Sequence, residues 1–225
     1  MKTDFIGDTA PVVLVKLEGD EKIYLDNDLM LYKDPAVKVN RKITTSLTNR
    51  IITHAEGIQS ERYFAVFEGE GHVAISHDKP GECRAITLDQ NSVVYVRWQS
   101  LLFAQDSVGY QPNMRSYLKF MTNFILPLEE FRGPGTIYVQ AFGNAFQFNL
   151  NPGEVLDVPV NNLLLFDATV GISDILFLFP YQIFAQGNAA ARQNEVCVLK
   201  PNSPESMSVC ARVYGPGRVL VHSGR

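Results

Sequence analysis

Cysteine is scarce in this chain. Its 225 residues include three, Cys83, Cys197 and Cys210, with no C-x-x-C pair and an odd count. A disulfide-stapled secreted scaffold is excluded by that pattern, and small buried thiols in a reducing compartment are expected instead. Long apolar runs are also missing. The longest lies near residues 175–180, far short of the ~18 residues a membrane helix needs. The first residues, Met-Lys-Thr-Asp-Phe-Ile-Gly-Asp, hold no apolar leader core and no Arg-rich amphipathic run, so neither a secretory signal nor a transit peptide is read there. Excess positive charge is absent too. Lys and Arg number 20 against 24 Asp and Glu, a net charge of −4, which disfavours a protein that tracks phosphates. The expectation is a soluble cytoplasmic protein with no membrane span and no nucleic-acid partner.

What the chain does contain is strand signal. Hydrophobic residues make up 46% and charged residues 20%, an ordinary globular balance. Short β-branched and aromatic runs alternate in period two, as at Val12 and Leu14, Val94 and Val96, Ile137 and Val139, and Val219 and Val221. Gly, Pro, Asn and Asp bound them, as expected of antiparallel strands between tight turns. Gly143-Asn144 and Lys79-Pro80-Gly81 read as hairpin turns. Between Tyr110 and Phe131 the apolar residues Met114, Tyr117, Leu118, Met121, Phe124 and Ile125 fall at helical spacing until Pro127, so a helical turn followed by a strand is expected.

Two phrases recur. Gly-x-Gly-x-[Val/Ile]-x-[Val/Ile] begins at Gly69, Gly133 and Gly215. A second phrase runs without gaps from Leu17 to Val37, Leu88 to Val108, and Leu150 to Val170. Within it Ile23, Val94 and Leu156 coincide, then Leu25, Val96 and Val158, then Leu31, Leu102 and Leu164, and Glu21 matches Glu154. The first Leu–Val phrase has no Gly phrase before it, and the last Gly phrase has no Leu–Val phrase after it. This order suggests one all-β domain over residues 1–225. Its three antiparallel modules span roughly residues 60–108, 124–170, and 209–225 joined with 10–37. In that reading the strand at residues 12–17 pairs with residues 218–222, covering edges that would otherwise promote aggregation.

These phrases carry a resemblance. Phe67-Glu-Gly-Glu-Gly71-His-Val73, Pro80-Gly81-Glu82, Leu88, Phe131-Arg-Gly-Pro-Gly135, Leu150-Asn-Pro-Gly-Glu154 and Gly215-Pro-Gly-Arg-Val219 are similar to those of bacterial members of the altered-inheritance-of-mitochondria family. The likeness covers about residues 10–222. It implies a TRAP-like double-stranded β-helix or sandwich and self-association, and it implies no catalytic residues. The chain departs from the family pattern at Glu18-Gly-Asp-Glu21, where Pro-Gly-Glu is usual, and in a longer stretch at 180–208.

Chemistry-bearing constellations are sparse. No G-x-S-x-G elbow occurs. The histidines are His54, His72, His77 and His222, and no H-x-H appears among them, which weighs against a two-His-one-carboxylate iron site. Parity places His72 and His77 on opposite strand faces. The paired glycines precede strands rather than helices, so they read as bends and not phosphate cradles. Asp26-Asn-Asp28 resembles the start of a calcium loop but lacks its Gly and closing Glu. Glu68 with Glu70, and Glu129 with Glu130, read as solvated strand ends. No catalytic, cofactor or metal residue is assigned.

Aromatic surplus is the remaining signal. Trp98 stands beside Arg97 where the other repeats carry Asn27 and Val160. Phe120, Phe124, Phe179 and Phe184 exceed what one strand face needs. These five residues form the candidate interface, with core filling the competing reading. The expected function is a non-catalytic assembly or scaffold protein that forms a homo-oligomer. The alternatives are a small-ligand binder with a pocket between modules or subunits and, behind it, a metal-dependent β-helix enzyme.

Overall fold

The computed structural model describes residues 1–7, 11–43, 63–76, 80–111, 117–119, 125–178 and 207–224. It is all-β, with antiparallel strands in several sheets and only two three-residue 3-10 turns, Asn27–Leu29 and Val160–Asn162, among the described residues. Among the described residues nineteen strands are laid down in three consecutive blocks, over residues 12–75, 81–142 and 145–222, preceded by a twentieth, Lys2–Ile6.

Each block divides its strands between two sheets. In the second block, Gly81–Leu88, Gly135–Phe142 and Leu101–Gln105 form one half-sheet in that spatial order, and Gly109–Gln111, Ile125–Arg132 and Val93–Arg97 form the other. The first and third blocks repeat both halves. Registers coincide as well. Leu17 lies opposite Gly71, Leu88 opposite Gly135, and Leu150 opposite Gly217. Each recurrent Leu therefore meets the second Gly of the Gly phrase that follows it in the chain.

That register corrects the pairing read from phrase order. Val12–Leu17 pairs with Gly71–Ile75, not with residues 218–222, and its other edge is taken by Lys2–Ile6. The strand Gly217–His222 pairs with Ala145–Leu150. No module is sutured across the termini by this pairing, because each Gly phrase turns back onto the strand that opens its own block. The two expected hairpins are corrected too. Gly71–Ile75 and Gly81–Leu88 lie in different sheets, as do Gly135–Phe142 and Ala145–Leu150. Their connections therefore pass the chain between sheets. The helical turn expected after Tyr110 is not formed where the structure is described. Tyr117–Lys119 is a strand opposite Ile125–Pro127.

Neighbouring blocks join by strand pairing. Ala104 and Gln105 lie opposite Tyr24 and Ile23, and Leu165, Phe166 and Asp167 lie opposite Val96, Tyr95 and Val94. One half-sheet of each block is thereby fused to the opposite half of its neighbour, giving six- and seven-stranded sheets. Core packing follows the same division. One cluster combines Tyr24 and Phe64 of the first block with Leu164, Leu165 and Leu220 of the third around second-block residues such as Val94, Phe131 and Ile137. The outer clusters centre on Val13, Leu25 and Phe67, and on Val158, Leu163 and Val219.

The glycines act as the bends that the sequence indicated. Gly71, Gly135 and Gly217 have φ of 145°, 138° and 144°, a region that side-chain-bearing residues avoid. A Cβ on Gly135 would meet Val108 Cγ2 at 2.7 Å, and one on Gly217 would meet Val170 Cγ2 at 2.6 Å. The terminal Val of each Leu–Val phrase is thus a methyl packed on the bare backbone of a Gly. Gly135→Ala is expected to destabilise the protein by about 2–4 kcal/mol in urea unfolding. Gly19→Ala, at φ 61° with nothing within 4 Å of the new Cβ, is expected to cost about 1 kcal/mol. Equal losses at the two positions would contradict the packing argument.

Candidate functional site

Polar side chains in the repeated phrases hold backbone. Asp34 Oδ2 accepts the His72 N–H at 2.8 Å, Gln105 Oε1 accepts the Thr136 N–H at 2.7 Å, and Asp167 Oδ2 accepts the Arg218 N–H at 2.8 Å. All three acceptors stand seventeen residues after the Leu that opens their phrase, and all three donors directly follow the positive-φ Gly. A second position does similar work in the turn after that Leu. Glu21 Oε2 accepts from Glu18 N–H at 3.0 Å, Ser92 Oγ from Asp89 N–H at 3.2 Å, and Glu154 Oε2 from Asn151 N–H at 2.7 Å. Sequence reasoning matched Glu21 with Glu154 but missed Ser92 and the whole Asp34, Gln105, Asp167 set. Equal spacing from Leu would have found them, had acceptor ability been compared in place of residue identity.

The two described histidines, His72 and His222, do not converge. His72 Nδ1 lies 3.0 Å from Asp34 Oδ2, and the hydrogen bonds from His72 hold the Asp34 carboxyl below its usual pKa. His222 is buried at the junction of the second and third blocks. Its Nε2 lies 3.3 Å from Arg97 Nη1 and its Nδ1 3.3 Å from Phe142 O. Arg97 also donates to Asn161 O, and Asn162 Nδ2 donates to His222 O at 2.6 Å. Burial first, and the Arg97 charge second, hold His222 below the ordinary imidazole value. His54 and His77 lie outside the described residues. Among the described residues no three His, Cys, Asp or Glu side chains gather as a metal site would require.

The acidic pairs divide. Glu68 bonds Lys22 Nζ at 2.7 Å on the surface. Glu129 and Glu130, expected at a solvated strand end, are instead buried. Tyr110 Oη donates to Glu129 Oε1 at 3.2 Å, and Arg132 Nε donates to Glu130 Oε1 at 2.7 Å. The strand that carries them, Ile125–Arg132, is interior to its sheet, and both side chains are almost fully shielded from solvent. Cys83 and Cys210 are free thiols. Burial pushes Cys83 up to about 11, which leaves it protonated and unreactive at neutral pH.

Of the candidate interface, Trp98 is half-buried in the turn after Val93–Arg97. Phe120, Phe124, Phe179 and Phe184 lie outside the described residues, so they are not placed. The structure draws attention elsewhere. Met30–Lys33 and Val155–Pro159 are sheet edges, each bonded to one neighbouring strand among the described residues. On the first edge Leu31 and Tyr32 are 57% and 55% exposed. Their repeat equivalents, Leu102 with Phe103 and Leu164 with Leu165, are all 0% exposed. On the second edge Val155 is 49% exposed. Phe146 and Phe148 are also exposed, on the edge strand Ala145–Leu150.

The family model described as Mitochondrial biogenesis AIM24 matches residues 3–224. The chain belongs to the AIM24 family. Among curated proteins none matches. A crystal structure of protein SPYM3_0169 from Streptococcus pyogenes is similar, with a TM-score of 0.68 and 17% identity over 99% of this chain and 93% of that one. At that identity the likeness shows the fold. AIM24 membership and the all-β class agree with the resemblance read from the glycine phrases. No helix among the described residues is long and apolar enough to cross a membrane.

The buried His222 gives this AIM24 protein a pH signature. The unfolded chain takes up a proton near the ordinary value of 6.5, whereas the folded chain resists until a lower pH. Stability is therefore lost as pH falls below ~6.5 towards the folded value. Thermal unfolding between about pH 7.5 and pH 5 is expected to show a smaller fall in Tm for His222→Gln than for the wild type. Equal falls would contradict it.

Proposed function

We propose that this protein is a non-catalytic assembly protein of the cytoplasm, a homo-oligomeric scaffold built from strand-and-turn blocks. One observation carries the reading. Leu31 and Tyr32 are exposed at positions whose two internal counterparts are wholly buried. Neighbouring apolar side chains on a strand edge that has no second partner among the described residues favour association, and burying a residue of this size contributes about 1.5–3 kcal/mol.

Two further features support it. The recurrent polar residues, Asp34, Gln105 and Asp167 with Glu21, Ser92 and Glu154, are engaged by backbone donors at turns. Their repetition is thus explained by folding. Cys83 and Cys210 are unlinked thiols whose titration burial shifts upward, in keeping with a reducing compartment.

Light scattering of the purified protein at micromolar concentration tests the proposal. The expected mass is a multiple of the 25.2 kDa chain. A monomer under these conditions would contradict it.

A further inference from the structure

The two edges, each with one partner strand among the described residues, are matching halves of one sheet. The four-stranded sheet ends at Met30–Lys33, and the three-stranded sheet ends at Val155–Pro159. Placed edge to edge, they reproduce the strand order of the two composite sheets inside the chain. The Met30–Lys33 edge corresponds to Leu101–Gln105 and Leu163–Asp167, each of which pairs with the preceding block. Among the described residues no block precedes the first. The Val155–Pro159 edge corresponds to Lys22–Leu25 and Val93–Arg97, each of which pairs with the following block, and among the described residues no block follows the third.

We propose that Met30–Lys33 of one copy pairs antiparallel with Val155–Pro159 of the next, head to tail, repeating between copies the junction that the chain forms twice within itself. This inference rests on the self-association proposed above and names its surface. The internal registers set the new one. Phe166 opposite Tyr95 becomes Lys33 opposite Asp157, with Tyr32 opposite Val158 and Asp34 opposite Leu156. Leu31 and Tyr32 then gain the cover that Leu102, Phe103, Leu164 and Leu165 already have.

Charge supports this direction of pairing. The position that holds Tyr95 against Phe166, with ring centroids 5.4 Å apart, carries Lys on one free edge and Asp on the other. Opposite charges facing across strands favour head-to-tail contact, and Lys33 against Lys33 opposes pairing of like edges. Before assembly the same charges keep the edges in water.

Proline sets the limits of the ladder. At the internal junctions Asp106 N–H donates to Lys22 O at 3.0 Å, and Ala168 N–H donates to Val93 O at 2.9 Å. The equivalent residue of the first block is Pro35, which has no N–H to give. Pro159 ends the other edge. Pairing is thereby confined to a few central residues, as it is at the internal junctions, and long sliding registers are blocked. A heterologous contact of this kind builds a ring when its rotation closes and an open filament when it does not.

Edge-blocked variants test the proposal by sedimentation. Asp34 N–H points inward to His72 O, so Lys33 N–H points outward, and Lys33→Pro blocks that edge alone. Asp157→Pro blocks the other and loses only a surface pair with Arg212. The wild type is expected to associate, and each variant alone to remain monomeric with a Tm near that of the wild type. An equimolar mixture is expected to form a dimer and stop there, because it holds one intact edge of each kind per pair. A monomeric mixture of folded variants would overturn the junction. A variant that associates alone, for example through Phe146 and Phe148, would overturn this junction and leave self-association standing. A monomeric wild type would overturn both. Should either proline variant fail to fold, Lys33→Glu and Asp157→Lys provide the same test, each weakening assembly alone and restoring it when mixed.

Discussion

Each block of this protein leaves both of its half-sheets incomplete, and the rest of the structure follows from that constraint. A strand edge with unpaired N–H and C=O groups and apolar side chains is costly in water unless another strand covers it. Inside the chain the next block supplies that strand. Gln105 against Ile23 and Asp167 against Val94 are the same contact made twice. The three described blocks make two such junctions, so among the described residues one half-sheet at each end of the series keeps an edge with no second partner strand.

The glycine phrases make the division possible. A chain that must leave one sheet and enter another within a few residues needs backbone that other residues avoid. Gly71, Gly135 and Gly217 provide it at φ near 140°, where any Cβ would strike the neighbouring Val side chain or the residues beside it. The acceptors Asp34, Gln105 and Asp167 then bind the N–H that the bend turns towards them. Steric room at Gly and a hydrogen bond at the next residue act as one clip, repeated three times.

The sequence disclosed the parts of this design more readily than their connections. Leu17, Leu88 and Leu150 could be aligned with no gaps, and their glycine partners stood out as bends. Which Leu faces which Gly could not be read from order, because a repeating series can be cut at any point and still look regular. Only the registers show that the cut falls before each Leu. Glu129 and Glu130 misled for a different reason. A carboxylate is assigned to solvent by its charge, and the partners Tyr110 and Arg132, which that charge does not announce, help make its burial tolerable. Trp98 attracted notice for breaking the repeat. Leu31, which obeys the repeat, proved more informative, because its exposure departs from that of its counterparts.

Backbone hydrogen exchange at the two open edges tests the central claim most directly, since amide protection reports whether a strand has a partner. With the wild-type protein at increasing concentration, the amides of Lys33 and Asp157 are predicted to gain protection together, approaching that of their internal counterparts Ala104 and Tyr95. Fast exchange at Lys33 and Asp157 at every concentration, beside protected Ala104 and Tyr95, would contradict the account.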